Sequence, residues 1–180
     1  MSFIHTRGKA RFGQIEFTEG AVIRTKKLEI TSTPDGSEQD TGWDLPQSAI
    51  VFDVFVEVTT AEATGGTKTL DVGLITSETG QDAGDPDGFL EGVAVSATGI
   101  KQGTITTTTG THTTYVSART LGDLLIDGSD GGDAADTNGL VLRVPHVVTG
   151  SGAVSVVYTA GSADFAEFRG NIHIVYADLT

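Results

Sequence analysis

Cysteine is absent from this 180-residue chain. Disulfide staples, Cys-ligated zinc and a thiol nucleophile are therefore excluded, although the compartment is left open. Long apolar runs are missing too: no stretch reaches the 18 or so residues that a membrane-spanning helix needs. The N-terminus, MSFIHTRGKARFG, has basic residues but not the apolar run of roughly 7–15 residues found in a secretory signal. The expectation is a soluble chain released into the cytoplasm where it is made, with no membrane partner. Basic charge is scarce. Eleven Lys and Arg stand against 24 Asp and Glu, for a net charge of −13.

The few basic groups cluster. Arg7, Lys9, Arg11, Arg24, Lys26 and Lys27 face only Glu16 and Glu19 within residues 1–27, a balance of +4, which leaves −17 for residues 28–180. A body this acidic repels phosphate backbones, so nucleic acid is not an expected partner. The basic segment has neither interleaved aromatics nor a nucleic-acid motif. It suits an acidic protein surface instead, and plain solvation of a charged terminus is the competing account.

What is present is the grammar of β-structure. There are 24 glycines and abundant threonine, and the apolar periodicity is mostly of period two. In IVFDVFVEV, Ile50, Phe52, Val54, Val56 and Val58 alternate with Val51, Asp53, Phe55 and Glu57, predicting a strand with one apolar face and one mixed face. After AEATGGTK, Leu70, Val72 and Leu74 alternate again, and the two runs read as an antiparallel hairpin with a long loop. Similar segments occur at 14–19, 21–32, 88–98, 113–120, 139–148, 153–161 and 170–179. Clusters such as TPDGSEQDTG, QDAGDPDG and DGSDGGDAADTNG punctuate them. The predicted fold is all-β, a jelly-roll-like antiparallel β-sandwich. Residues 1–13 form a basic N-terminal arm and 14–180 a single domain of ordinary size, able to bury about 70% of its unfolded surface. LGDLLID (121–127) offers one short helix, and TITTTTGTHTTY (104–115) reads as an exposed strand or hairpin.

Catalytic constellations are not found. His5, His112, His146 and His173 lack metal-protease or deaminase spacing and read as surface or partly buried strand histidines. No nucleophile elbow, phosphate loop or dinucleotide fingerprint occurs. Asp53, Glu57 and Asp71 are able to meet across the predicted hairpin, but carboxylates on a wet strand face more often serve solubility. No catalytic residue is assigned, and the expectation is that the chain is not an enzyme. Calcium is the one cofactor the loops suggest, since Asp127, Asp130, Asp133 and Asp136 supply hard oxygens on a Gly-rich backbone. Against it, Gly131 occupies a position where an EF-hand puts Asp or Asn, and Asp and Gly are the ordinary residues of long loops. Trp43 is the only tryptophan. It is either a sugar platform or a plug at the end of the sandwich.

The stretch TLDVGLITSETGQDAGDPDGFLEGVAVSATGIKQGT (69–104), with YVSARTLGDLL, LVLRVPHVV and SVVYTAGSADFAEFRGNIHIVYADL, resembles small head-module structural proteins of tailed bacteriophages. The longer QDAGDPDG loop and the basic arm depart from that pattern. The resemblance implies a virion protein, a decoration or cement protein on the capsid exterior that binds the major capsid protein, with a homo-oligomer, a trimer above all, as its assembly. It carries no catalytic residues. On this reading Arg7, Lys9, Arg11, Lys26 and Lys27 are capsid-contact candidates. Val51, Phe55 and Ile75, on the second face of the strands, are intersubunit candidates. A head- or tail-fibre module binding a host receptor or glycan, and a tail component, are the alternatives.

Overall fold

The computed structural model describes residues 10–12, 15–17, 22–63, 65, 68–76, 84–102, 145–148, 152–161 and 163–179, with side chains described from residue 22 onward. The described residues contain strands and no helix: β1 (Ala10–Phe12), β2 (Ile15–Phe17), β3 (Val22–Glu29), β4 (Gln39–Leu45), β5 (Ile50–Thr60), β6 (Thr69–Leu74), β7 (Leu90–Ala94), β8 (Gly99–Gln102), β9 (His146–Val147), β10 (Val154–Ala160) and β11 (Arg169–Asp178). The short pair β1–β2 is a hairpin of its own. Its two strands lie on either side of position 13, the boundary that the sequence reading gives the arm. The predicted helix at 121–127 and the segments 104–115 and 113–120 lie outside the described residues, as does most of 139–148.

The remaining strands form two antiparallel sheets, one ordered β4-β10-β6-β7 and the other β3-β11-β5-β8, with β9 on the same edge of β5 as β8. Most successive strands cross between the layers, β6 and β7 being neighbours in one sheet. With β8 and β9 counted as one interrupted position, the sheets run first-eighth-third-sixth and second-seventh-fourth-fifth. That is the pair of interleaved Greek keys of a jelly roll, as the sequence predicts.

One local expectation is corrected. β5 and β6 are not a hairpin: they belong to opposite sheets, with β5 beside β11 and β6 beside β10. Chain proximity favours the hairpin, but each run has an apolar face that needs burial. Placing the two faces against each other across the sandwich buries both, whereas pairing them in one sheet leaves a layer uncovered.

The core consists of inward residues from both layers, among them Val54, Val56 and Val58 of β5, Leu70, Val72 and Leu74 of β6, Val154, Val156 and Tyr158 of β10, and Ile172 and Ile174 of β11. Phe89 and Phe168 are fully buried with them. A second correction concerns the N-terminal half of β5. Val175 pairs with Asp53 and Tyr176 with Val51, so Phe52 is an extra residue in β5, a β-bulge. The bulge resets the alternation and sends Val51, not Phe52, into the core cluster.

Glu62, just after β5, is fully buried. Its Oε2 accepts the backbone N–H groups of Ala166, Glu167 and Phe168 at 2.8, 2.8 and 3.2 Å. Three consecutive donors aimed at one oxygen satisfy a carboxylate that would otherwise be costly to bury. The bond network fixes the turn that leads into β11.

Candidate interaction surface

Register gives the outer face of the five-stranded sheet row by row. Glu29, Asn171, Glu57 and Ile100 form one row. Lys27, His173, Phe55 and Gln102 form the next, followed by Thr25, Val175 and Asp53. Beyond the bulge come Ile23, Ala177, Ile50 and Val147. Residues directly opposite each other share a face; in the last row Ile50 and Ala177 are buried, and only Ile23 and Val147 at its two ends are exposed.

Its centre is a polar cluster built on Glu57. The Oε2 atom accepts Asn171 Nδ2 at 2.9 Å and stands 3.3 Å from His173 Nε2 and 3.4 Å from Lys27 Nζ. The bond to His173, then that to Asn171 and the Lys27 charge, hold the Glu57 carboxyl below its ordinary range. Phe55 lies flat on the His173 ring, with centroids 4.7 Å apart and planes 5° from parallel. At the margins apolar side chains meet water: Ile23 is 62% exposed, Ile100 55% and Val147 39%. Val22, the first residue of β3, and Leu179, just past β11, are also exposed. The large exposed hydrophobics of the described residues are therefore confined to this layer.

The other layer has a different character. Asp40 and Asp44 of β4, Asp71 of β6 and Ser155, Val157 and Thr159 of β10 face outward there by register. Gly73, opposite Val157, lies under the acidic turn. The Asp85 carbonyl accepts Leu74 N–H at 2.7 Å and Gly88 N–H at 3.1 Å. A Cβ on Gly73 would stand 1.9 Å from that oxygen. Asp71 accepts Gly92 N–H at 2.6 Å. Burial and the nearby Asp87 charge nevertheless raise its pKa above the ordinary carboxylate value.

No known protein family matches this chain, and no curated protein does. Among solved structures, the cyanophage Pam1 capsid asymmetric unit is similar at a TM-score of 0.47 and 17% identity, over 93% of each chain. A likeness of that extent leaves function to be argued from the chain itself.

The structure distributes the sequence candidates as follows. Arg7 and Lys9 lie outside the described residues. Arg11 is in β1, opposite Glu16. Lys27 belongs to the Glu57 cluster, while Lys26, one residue before it, faces the other way and places Nζ 5.5 Å from the centre of the Trp43 ring. Of the intersubunit candidates, Phe55 lies on the outer face, Ile75 is partly buried against the core, and Val51 is enclosed within it. The reason is the bulge at Phe52, which turns Val51 inward. Asp127, Asp130, Asp133 and Asp136 lie outside the described residues. Among those described, no group of three or more His, Asp or Glu is placed to hold a metal ion. The carboxylates Asp53 and Glu57 do not meet Asp71, since they sit on outer faces of opposite sheets. His173 is on the polar face as alternation predicts, whereas His146 turns toward Phe89. Trp43 packs against the core and against Tyr176 at 5.5 Å, the geometry of a plug between the layers.

Sequence reasoning missed the exposed apolar group Ile23, Ile100 and Val147. Ile23 and Val147 sit in predicted strands, but which of their faces is solvated depends on strand order, which the alternation does not encode. Glu62 was also missed. In AEAT it looks like an ordinary turn residue, and its partners lie about 105 positions away.

Proposed function

We propose that this chain is a structural virion protein of a tailed bacteriophage, a decoration or cement protein that binds the assembled head and stabilises it. The observation that carries the reading is the division of labour between the two outer faces. Among the described residues, the large exposed hydrophobics are restricted to the five-stranded layer, around a polar centre tied down by Lys27, Glu57, Asn171 and His173. Such a surface suits association with a neighbouring protein better than solution does. The jelly-roll frame and the resemblance of residues 45–180 to head-module proteins support the same assignment.

The mechanism is thermodynamic. A protein that binds the assembled shell and not its dissociated parts lowers the free energy of the assembled state by mass action. The apolar margin of the five-stranded layer makes contact with the shell or with a second copy around a symmetry axis. The basic segment, with Arg7, Lys9 and Arg11, lies over acidic groups of the shell protein. Contacts of this kind weaken as salt is raised, because exposed ion pairs are screened.

The test is to mix purified protein with heads assembled without it, then measure co-sedimentation and the melting temperature of the shell. Saturable binding with a raised melting temperature is expected. A shell that stays bare refutes the reading and leaves a fibre or tail role. Because β1 begins at Ala10, a chain lacking residues 1–9 removes Arg7 and Lys9 without cutting the hairpin. It should bind more weakly with an unchanged fold, and undiminished binding would remove the arm from the mechanism.

A further inference from the structure

β3 is the one long edge strand of the sandwich that the described structure leaves regular. Its pairing with β11 runs from Val22 to Glu29 without a register shift. The other edges are interrupted. β4 carries a register shift opposite β10, with Gly42 at φ +70°. β7 has a shift against β6, with Gly92 at φ +68°. The far edge of β5 is shared by the short strands β8 and β9. Bulges and short strands are the usual means of blunting a sheet edge, and β3 has neither.

The free edge can be assigned residue by residue. Ile30 N–H donates to Gly170 carbonyl at 3.1 Å, across the position where the β3–β11 register places them opposite. In an antiparallel ladder, hydrogen-bonded and non-hydrogen-bonded pairs alternate. Leu28, Lys26, Arg24 and Val22 therefore bond toward β11. Ile23, Thr25, Lys27 and Glu29 point their backbone N–H and C=O groups away from the sheet. Arg24, Lys26 and Lys27 make this edge basic in a chain whose net charge is −13. Two copies meeting β3 to β3 would bring those three cations together, which opposes self-pairing. An extended segment rich in Asp or Glu meets both requirements, complementing the charge and completing the ladder.

We propose that β3 is a docking edge for an acidic, extended segment of a partner protein, which adds as a further strand beside Ile23, Thr25, Lys27 and Glu29. This inference rests on the reading of the chain as a shell-binding protein only in identifying the partner as the shell protein. The edge itself is argued from register and charge.

The probe is an eight-residue peptide of alternating Thr and Glu, with a Thr–Lys counterpart, titrated against the full chain by fluorescence anisotropy. The acidic peptide should bind and its lysine counterpart should not. Thr25→Pro removes a free-edge N–H while leaving every bond to β11, and proline is tolerated on an edge of this kind. Circular dichroism and a denaturation midpoint confirm that the variant is folded, and the peptide should then no longer bind. Arg24→Gln combined with Lys27→Gln, which keeps the backbone edge, should weaken binding about tenfold. Unchanged peptide binding by folded Thr25→Pro overturns the proposal. So does a dimer of the parent chain in sedimentation velocity that Thr25→Pro disperses, because a second copy is then the occupant. Heads that bind Thr25→Pro as well as the parent overturn the shell protein as the partner of this edge while sparing the shell-binding reading. Peptide binding alongside bare heads supports the edge and refutes the shell.

Discussion

Gly73→Ala is the substitution that most directly tests how the acidic turn is seated. A Cβ at this position would lie 1.9 Å from the Asp85 carbonyl oxygen, 2.5 Å from the Pro86 carbonyl carbon and 2.8 Å from the Asp87 nitrogen. All three are main-chain atoms, so no side chain can swing aside, and either the turn or β6 has to move. Moving the turn breaks the Leu74 N–H bond to Asp85 and strains the bond from Phe89 N–H to Val72 carbonyl. At about 1 kcal/mol each, these two bonds account for about 2 kcal/mol. Partial exposure of Val157, fully buried opposite Gly73, adds about 1 kcal/mol. The expected loss is about 3 kcal/mol, a large share of the 5–15 kcal/mol typical of a domain. Urea denaturation of parent and variant with matched m-values measures it. Gly36→Ala is the internal control: no atom lies within 4 Å of its added Cβ, so it should be neutral or slightly stabilising. If Gly73→Ala falls within 1 kcal/mol of Gly36→Ala, the turn is not held over β6 in the way described.

Two further outcomes follow from buried or half-buried carboxylates. Glu62→Ala leaves three N–H groups of the 166–168 turn without their acceptor and should cost about 3–5 kcal/mol. Glu62→Gln keeps one acceptor oxygen and should cost distinctly less, and equal losses in urea denaturation would show that packing, not hydrogen bonding, sets the requirement. Asp71 has its folded-state pKa raised above the ordinary 3.8, first by burial and also by Asp87. The folded chain thus holds that proton to higher pH than the unfolded chain, and ionising it opposes folding. Asp71→Asn should therefore be more stable than the parent at pH 7, with an advantage that shrinks as pH falls through the raised pKa toward 3.8. Glu57 acts in the opposite sense: its lowered pKa contributes stability above the ordinary 4.5 that is lost as pH falls through the folded value. An advantage of Asp71→Asn that grows on acidification would refute the assignment.

How much of this was legible in the sequence depends on the range of the interaction concerned. Period-two alternation places β5, β6, β10 and β11 correctly, and the absence of helical blocks points to a sandwich. Both are local signals read through the pleat. Which strand lies beside which is not local. IVFDVFVEV and TLDVGL look like neighbours because only a turn separates them, yet each pairs with the C-terminal strands, about 80 to 130 positions away. The glycine in DVGL is a similar case. Its role is visible only when Asp85–Asp87 closes over it, although the motif that spans both segments already links them in the sequence.

The extra residue at Phe52 shows how one local irregularity reaches the candidate surface. Without the bulge, Phe52 joins the core and Val51 lies outside, the arrangement that alternation alone predicts. With it, Val51 packs inward opposite Tyr176, and Ile50 moves to the outer face in the row that Ile23 and Val147 close at either end. A one-residue slip exchanges the faces of every residue beyond it, so the bulge decides which apolar residue joins the outer face at this end of the sheet, Ile50 in place of Val51, and Ile50 is itself buried there. The regular edge of β3 stands at the other extreme, because there the unbroken register is what leaves four residues with backbone groups to offer a partner.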